Sequence, residues 1–300
     1  MRQEAPHGLL VLDKPAGITS RAAVNAALRW FPRRTRLGHT GTLDPGATGV
    51  LVLCVGWATR LAEYVQSMEK VYRSTFLLGC RSSTDDADGE LVPVQVAEPP
   101  SSPDVHAALG RFIGEIDQVP PSFSAAKVTG KRAYKLARAE RKIALEPRRI
   151  TIHQIALLHY EYPLLDLEVR CGRGTYIRAL ARDLGNVLYC GAIVQALRRT
   201  RVGVFTLDGA LGLDADRAAV LAQLRPCEDA VRQLPRLDLP APALEKLRHG
   251  LPVSDQPDMQ AALGKEIAVF APDGILAAIA SMDGAGKLWP EKVLARPGES

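Results

Sequence analysis

The order of strand-like and helix-like segments limits the fold of this chain more than any other feature. Short apolar runs bounded by glycine or proline, typical of buried strands, alternate with amphipathic stretches, typical of helices. The segments with strand character are 8–12, 51–55, 72–78 and 165–171. Those with helical character are 19–30, 58–67, 105–113 and 175–188. Because the two types do not follow a regular βαβ repeat, we expect an α+β protein rather than a doubly wound sheet.

The last part of the chain has a different pattern. Residues 234–242 contain three prolines in nine positions, which predicts a linker. Beyond it, short apolar segments are separated by glycine and proline, and an Ala-Pro-Asp-Gly turn between 267–270 and 275–279 predicts a hairpin. We therefore expect two domains, a large one of residues 1–233 and a small β-rich one of residues 234–300.

Composition excludes several classes of protein. The 47% apolar and 24% charged residues are ordinary for a soluble globular chain. No apolar run approaches the roughly 20 residues of a membrane span, and charges near the start leave no signal-peptide core. The five cysteines are scattered, which predicts buried free thiols rather than a disulfide framework or a zinc site. A cytoplasmic location without membrane contact is expected.

The positive charge is unevenly distributed. Residues 1–240 carry 32 basic and 25 acidic side chains, whereas residues 241–300 carry six and eight. The densest basic stretch, 127–149, holds nine lysines and arginines against two glutamates. This pattern indicates a polyanionic partner, although a solvated helix face explains the same stretch equally well.

The glycine-rich loop 33–49 carries the strongest candidate for a functional site. Its glycines fit neither a phosphate-binding loop nor a dinucleotide fingerprint, because no Gly-Lys-Ser/Thr follows and the spacing differs. The loop nevertheless combines His39 with Asp44, which precedes a proline. From these residues alone two interpretations stay open. Asp44 is a functional carboxylate in a long loop, or it begins an Asx-Pro turn beside a surface histidine.

Residues 38–49, Gly-His-Thr-Gly-Thr-Leu-Asp-Pro-Gly-Ala-Thr-Gly, resemble the signature of the TruB family of tRNA pseudouridine-55 synthases. Further blocks follow in the family's order between about residues 7 and 212, at 12–20, 70–73, 84–90, 120–131, 174–178 and 197–203. Gly46, Val52 and Val71 depart from the usual residues of the pattern, which puts local packing in doubt rather than the chemistry.

This resemblance implies a pseudouridine-synthase fold, with a mixed and mainly antiparallel sheet flanked by helices. It also implies an RNA-binding insertion at about 120–150, and a C-terminal domain similar to the small PUA-type RNA-binding barrels. The net negative charge of the last sixty residues is an argument against the similarity of the C-terminal domain to PUA-type RNA-binding barrels.

The same resemblance implies the chemistry. A pseudouridine synthase breaks the N1–C1′ bond of a uridine, turns the base and rejoins it through C5, so no cofactor or metal is expected. Asp44 matches the essential carboxylate and Arg178 matches the arginine that pairs with it. Tyr72 matches the tyrosine that stacks on the base and is a candidate proton acceptor. The route, by attack at C1′, attack at C6 or a glycal, is left open.

Other matched residues are expected to bind RNA. Because the target base lies inside a folded T-loop, it must be flipped out, and His39 matches the histidine that fills the gap. Leu197 matches an apolar contact behind the site, and Tyr176 lies in the block that contains Arg178. Lys14 and Lys127, with the basic stretch, are expected to contact the RNA backbone.

We therefore expect a tRNA pseudouridine-55 synthase, an isomerase that acts on the T-arm as a monomer without guide RNA. The alternative is a catalytically silent module that binds or folds tRNA. It explains the basic stretch but gives no use to Asp44, Tyr72 and Arg178 together. A glycoside hydrolase is a weaker alternative, because such enzymes normally use two carboxylates and only one lies in the loop.

Overall fold

The computed structural model describes residues 6–122, 127–128, 131–132, 145–254 and 264–294. Its strands, in chain order, are β1 (Gly8–Lys14), β2 (Leu37–His39), β3 (Thr48–Val55), β4 (Lys70–Leu78), β5 (Cys80–Ser82), β6 (Leu91–Pro93), β7 (Gly114–Gln118), β8 (Lys127–Val128), β9 (Lys131–Arg132), β10 (Arg148–Glu161), β11 (Leu164–Cys171), β12 (Ala192–Val202), β13 (Phe205–Thr206), β14 (Arg236–Asp238), β15 (Glu266–Phe270), β16 (Leu276–Met282) and β17 (Leu288–Val293). The α-helices of the same residues are α1 (Ser20–Ala27), α2 (Ala62–Ser67), α3 (Ser102–Gly110), α4 (Ile177–Val187), α5 (Arg217–Ala222) and α6 (Ala241–Arg248).

One mixed sheet forms the centre of the larger part. Its main path runs β1-β3-β12-β4-β11-β10-β7, with β2 beside β3 and β13 beside β12, which makes nine strands within the described residues. The pairings are antiparallel except that of β12 with β3. The expected α+β architecture with a mainly antiparallel sheet is therefore confirmed.

Burial explains why β1 and β3 read as continuous apolar runs. Leu10 and Leu12 on β1 face one apolar cluster, under the helices, whereas Leu9 and Val11 face a second cluster on the other side. A strand that is covered on both faces needs apolar residues at every position. The β4 strand alternates instead, because only one of its faces carries the core residue Phe76.

Two helices position the residues of the loop and the pocket. The α1 helix begins as predicted, because the Thr19 hydroxyl accepts a hydrogen bond from the amide of Ala22 at 3.0 Å. The α4 helix continues through Gly185 although glycine is a poor helix former. A Cβ at Gly185 would lie 2.2 Å from the nitrogen of Ala192, so glycine is required for α4 to approach β12 closely.

The predicted linker at 234–242 is wrong. Residues Arg236–Asp238 form β14, which pairs in parallel with β15, and the amide of Leu239 donates to Phe270 at 2.9 Å. Pro240 and Pro242 flank the first residue of α6, where proline is tolerated because the first amides of a helix have no intrahelical acceptor. The three prolines therefore mark element boundaries. The predicted hairpin is confirmed as β15 and β16.

The C-terminal sheet, in the order β14-β15-β16-β17, is covered on both faces. One face packs on Leu244 and Leu247 of α6. The other face, with Phe270 and Ile279, belongs to the same apolar cluster as Leu9 of β1. Within the described part of the chain, the two expected domains thus share one apolar interface.

The expected insertion at about 120–150 lies mostly outside the described residues. Within it the backbones of β8 and β9 pair in antiparallel fashion. The side chain of Lys127 also lies outside the described part.

None of the helices that are described is long and apolar enough to cross a membrane.

Candidate active site

The loop that carries Asp44 joins β2 to β3 and is tied to the first residue of α1. The hydroxyl of Ser20 accepts from the amide of Leu43 at 2.8 Å and donates to the carbonyl of the same residue at 3.0 Å. The amide of Thr40 donates to Val52 at 3.0 Å. The residue before Asp44 is therefore held at both of its main-chain polar groups.

Two buried cations, Lys14 and Arg199, hold the Asp44 loop from the interior of the protein. Lys14 is 0% exposed, and its Nζ donates to the carbonyls of Pro15, Ile18 and Pro45 at 2.8, 2.8 and 3.2 Å. Arg199, which is also buried, lies under the opposite side of the loop. Its Nε donates to Val50 at 2.7 Å and its Nη2 to Gly41 at 3.1 Å. Lys14 thus ties the loop, at Pro45, to the segment between β1 and α1, whereas Arg199 binds the loop at Gly41 and the start of β3 at Val50.

The placement of Lys14 corrects the expectation drawn from the sequence. A lysine that contacts an RNA phosphate must present its ammonium at the surface, whereas this ammonium is enclosed by three carbonyls. The pKa of Lys14 is lowered by burial, and the neighbouring Asp44 opposes that shift. Lys14 therefore supports the loop from inside the protein.

Arg178, near the start of α4, is the centre of the site. Its guanidinium is nearly buried, with Nε 3.0 Å from Oδ2 of Asp44 and Nη1 3.2 Å from Oδ2 of Asp86. Nη1 also donates to the carbonyl of Thr84 at 2.9 Å. The structure therefore brings together Asp44 and Arg178, which the sequence paired, and adds a second carboxylate from the segment between β5 and β6.

A pocket of about 120 Å³ opens at this ion pair. Its lining, within the described residues, comprises Thr42, Leu43, Asp44, Tyr72, Thr175, Tyr176, Ile177, Arg178 and Leu197. Five residues that were singled out from the sequence are in this set, namely Asp44, Tyr72, Tyr176, Arg178 and Leu197. The side chain of Asp44 keeps 39% of its surface exposed, so a planar group that enters the pocket can meet the carboxylate.

Burial and charge determine the protonation of the two groups suited to chemistry. Burial raises the pKa of Asp44, Arg178 opposes the shift, and the neighbouring carboxylates of Asp86 and Asp88 add to it. Burial also raises the pKa of Tyr72, which Arg199 opposes, so Tyr72 is a neutral phenol at neutral pH. A neutral phenol offers an aromatic face and a hydroxyl that can donate.

Two further residues act on the main chain beside Arg178. The side-chain amide of Gln118, at the end of β7, accepts from the amide of Tyr176 at 2.9 Å and donates to its carbonyl at 3.1 Å. Arg182, one turn after Arg178 on α4, donates from Nη2 to the carbonyl of Val119 at 2.8 Å and pairs with Asp85 at 3.0 Å. Neither was selected from the sequence, since a lone glutamine and one arginine among many carry no recognisable pattern. Asp86 lay in a matched block, but nothing in the block gave it a role.

His39, the histidine expected to enter the RNA, lies outside the described lining of the pocket. His39 is half-buried on β2, paired with Leu53 of β3, and it does not belong to the described lining of the pocket. It leads directly into the Asp44 loop, at the end of the strand.

Two family models match this chain in succession. Residues 29–177 match the N-terminal domain of the TruB family pseudouridylate synthases, and residues 178–234 match a tRNA pseudouridylate synthase B C-terminal domain. Proteins called tRNA pseudouridine synthase B are similar over nearly the whole chain. The one from Ralstonia nicotianae is 42% identical over 96% of this chain and 94% of its own length. The one from Thiobacillus denitrificans is 40% identical over 98% and 97%.

The chain belongs to the TruB family. The four-stranded C-terminal sheet begins at Arg236, after the last residue that the two TruB models match, and the relatives that align over nearly the whole chain cover this sheet as well.

Solved structures agree with this TruB chain in fold. A crystal structure of a Cbf5-Nop10-Gar1 complex contains a chain with a TM-score of 0.74 and 24% identity, over 97% of this chain and 86% of the other. An H/ACA ribonucleoprotein bound to a substrate RNA contains one with a TM-score of 0.73 and 22% identity, over 97% and 86%. At such identities the likeness establishes the architecture alone.

Proposed function

We propose that this TruB family member converts the uridine at position 55 in the T-loop of tRNA to pseudouridine. The observation that carries the proposal is the pairing of Asp44 with Arg178 at 3.0 Å, at a small pocket lined by Tyr72 and Leu197. The relatives called tRNA pseudouridine synthase B support tRNA as the substrate. The reaction makes the chain an intramolecular transferase within the isomerases.

In the proposed reaction the N1–C1′ bond breaks and a C5–C1′ bond forms. The hydrogen on C5 leaves as a proton and N1 gains a proton, so no electrons enter or leave overall. Asp44 acts as the nucleophile, or stabilises the positive charge that develops on the sugar. Arg178 favours the ionised form of Asp44 against the effect of burial.

The remaining pocket residues hold the base. The ring of Tyr72 and the side chain of Leu197 line the space in which a flipped uracil meets Asp44. Tyr72 starts as a neutral phenol, so it accepts the C5 proton only when another group receives the phenolic proton. Tyr176 contributes to the wall next to Arg178.

RNA binding is assigned to residues around the pocket. His39 is proposed to fill the space that the flipped base leaves, because it adjoins the catalytic loop. Lys127 and the basic insertion at about 120–150 are proposed to bind phosphates of the T-arm. Residues 1–233 form the catalytic domain and residues 234–300 a PUA-like one. We propose a monomer that needs no guide RNA or cofactor and acts in the cytoplasm, where tRNA is found.

The test uses a bare T-arm transcript with tritium at C5 of its uridines, incubated with the full chain and no other macromolecule. Tritium release at one equivalent per RNA is expected, because the C5 proton is lost once per turnover. A matched transcript with cytidine at position 55 should release none. If the chain binds the T-arm but releases no tritium, the catalytically silent module is correct and the enzyme proposal fails.

A second arm of the test assigns the carboxylate. Asp44→Asn is expected to abolish release while RNA affinity stays within a few-fold, because the amide keeps the shape of the side chain without its charge. Asp88→Asn, in which a carboxylate near Asp44 is removed, is the matched control and should keep substantial activity. Release by the Asp44→Asn variant at a rate near that of the unmodified chain would refute the role of Asp44.

A further inference from the structure

Gln118 carries a buried amide at the end of a strand whose other residues are half-buried or exposed. It is the last residue of β7, which lies at the edge of the described sheet, and its side chain is 2% exposed. A buried amide is unfavourable unless its donor and its acceptor are both satisfied. Here one residue satisfies both, since Oε1 accepts from the amide of Tyr176 and Nε2 donates to its carbonyl.

These two bonds determine where α4 begins. Tyr176 is the residue before the first helical turn and has an extended backbone, with no side chain of the described residues capping the helix there. Its carbonyl accepts the first helical hydrogen bond, from Leu180 at 3.1 Å. Gln118 therefore holds the main chain at the point from which the helix direction is set.

The end of β7 binds α4 a second time. The carbonyl of Val119, the next residue, accepts from Nη2 of Arg182 at 2.8 Å. The two attachments, at Tyr176 and Arg182, lie on either side of Arg178 in the sequence. With a rise of about 1.5 Å per residue they span roughly 9 Å of helix, so the segment that carries Arg178 is held at both ends.

We propose that Gln118 is a positioning residue for Arg178. By holding the main chain two residues before Arg178, it keeps Nε of the guanidinium directed at Asp44 and Nη1 directed at Asp86. The inference rests on the proposed function for its catalytic consequence, but the geometry of the ion pair is independent of that function.

The competing explanation is that Gln118 only stabilises the fold. A residue with that role lowers the folded fraction and leaves the folded molecules fully active. A positioning residue lowers the rate at saturating RNA and leaves RNA affinity nearly unchanged. It also changes the titration of Asp44, because a displaced Arg178 no longer favours the ionised carboxylate.

The experiment compares Gln118→Met, of similar length but without hydrogen bonds, with Gln233→Met. The amide of Gln233 also bonds to main-chain carbonyls, those of Tyr64 and Ala230, but far from the pocket. Gln118→Met should reduce single-turnover tritium release at saturating T-arm at least tenfold, with the RNA Kd within threefold. Gln233→Met should change neither. Rates are corrected for the folded fraction from thermal melting.

The titration of Asp44, followed by the chemical shift of its ¹³C-labelled carboxyl carbon, gives a readout that needs no activity. Asp44 is faced by Arg178 of α4, by Asp86 and Asp88 of the β5–β6 segment, by Lys14 of β1 and by Tyr72 of β4. If Arg178 moves away, the pKa of Asp44 rises in Gln118→Met, because the guanidinium no longer favours the ionised carboxylate. It stays unchanged in Gln233→Met.

The outcomes separate the two proposals. An inactive unmodified chain refutes the proposed function, yet the Asp44 titration still decides the role of Gln118. An unchanged Asp44 titration, or a rate loss no greater than that of Gln233→Met, refutes the positioning role. If Gln118→Met does not fold, Gln118→Asn keeps an uncharged amide on a side chain that is one methylene too short to bond both main-chain groups of Tyr176. It should lower the single-turnover rate and raise the pKa of Asp44 relative to the unmodified chain, and it refutes the role if it does neither.

Discussion

The guanidinium of Arg178 binds Asp44 through Nε, 3.0 Å from Oδ2, and leaves Nη1 for Asp86 at 3.2 Å. One cation thus serves two carboxylates from different loops. An arginine can do so because its donors point in fixed directions from a planar group, whereas the ammonium of a lysine is a compact charge without such a fixed fork of donors.

Arg178→Lys is therefore expected to lower single-turnover tritium release by about a hundredfold, a typical loss when one fixed donor of an active site is removed. RNA affinity should stay within a few-fold, since Arg178 is nearly buried and does not present a surface charge. Rates at saturating T-arm and Kd by filter binding measure the two effects. Equal losses in rate and affinity would show instead that Arg178 is an RNA contact.

Asp44 is expected to reduce stability at neutral pH. Its pKa in the folded protein is raised by burial, so between the unfolded and the folded pKa the folded state binds more protons than the unfolded state. Stability therefore falls as pH rises through that window, and above it the full penalty of an ionised Asp44 is present.

Asp44→Asn, which removes this charge, should consequently raise the melting temperature at pH 7.5. The difference should disappear at a pH low enough to protonate Asp44 in the folded chain. Thermal melting of both proteins over a pH series measures it. A lower melting temperature for the variant at neutral pH would mean that the ion pair with Arg178 outweighs the penalty of burial.

Lys14→Met tests the interior role of this lysine. The loss removes the ammonium from three part-buried carbonyls, of which, within the described part of the chain, only that of Pro45 keeps a second donor, the amide of Gly17, and should destabilise the chain by about 1–3 kcal/mol. The salt dependence of RNA binding should not change, whereas the loss of a phosphate contact reduces the slope of log K against log salt by about 1. Lys246→Met, at an exposed lysine of α6, is the control for stability. A reduced slope together with normal stability would show instead that Lys14 contacts RNA phosphates.

The packed C-terminal sheet predicts cooperative unfolding. Tyr64 of α2 donates its hydroxyl to Glu266 of β15 at 2.8 Å, and Lys292 of β17 lies over the Tyr64 ring and pairs with Glu63. Tyr64→Phe keeps the ring and should lower the free energy of unfolding by about 1 kcal/mol. Urea denaturation should show one transition, shifted as a whole. Two transitions, of which the variant shifts only one, would indicate that residues 234–300 unfold independently.

The sequence predicted the residues that line the pocket better than the residues that hold the surrounding main chain in place. Asp44, Tyr72 and Arg178 belong to patterns that local sequence displays, and the structure places them at one pocket. Arg199 and Gln118 act on the main chain of distant segments, a role that depends on tertiary contacts and leaves no local signal. The role of Lys14 was misjudged because a lysine near a motif suggests a phosphate contact, whereas its burial is known only from the fold.

Predictions of the fold likewise succeeded where local sequence determines an element and failed where a distant contact does. Apolar runs and amphipathic stretches predicted six of the seventeen described strands and four of the six described α-helices to within a few residues, since these patterns depend on neighbours along the chain. The prolines around 236–238 were misread as a linker, because the partner of that strand, β15, lies about thirty residues further along the chain. Pairing at such a distance overrides local composition.

The two cations that hold the loop carrying Asp44 have a consequence for the barrier of the proposed reaction. Lys14 and Arg199 bind carbonyl oxygens and are shielded from water, so their positive charges occupy fixed positions beside Asp44 and Tyr72. Water around a reacting group must reorient as charge moves, and this reorientation adds to the activation energy. Charges that are already in place need no such rearrangement. Folding of the protein thus places these charges before RNA binds, so they do not have to reorient during the proposed reaction.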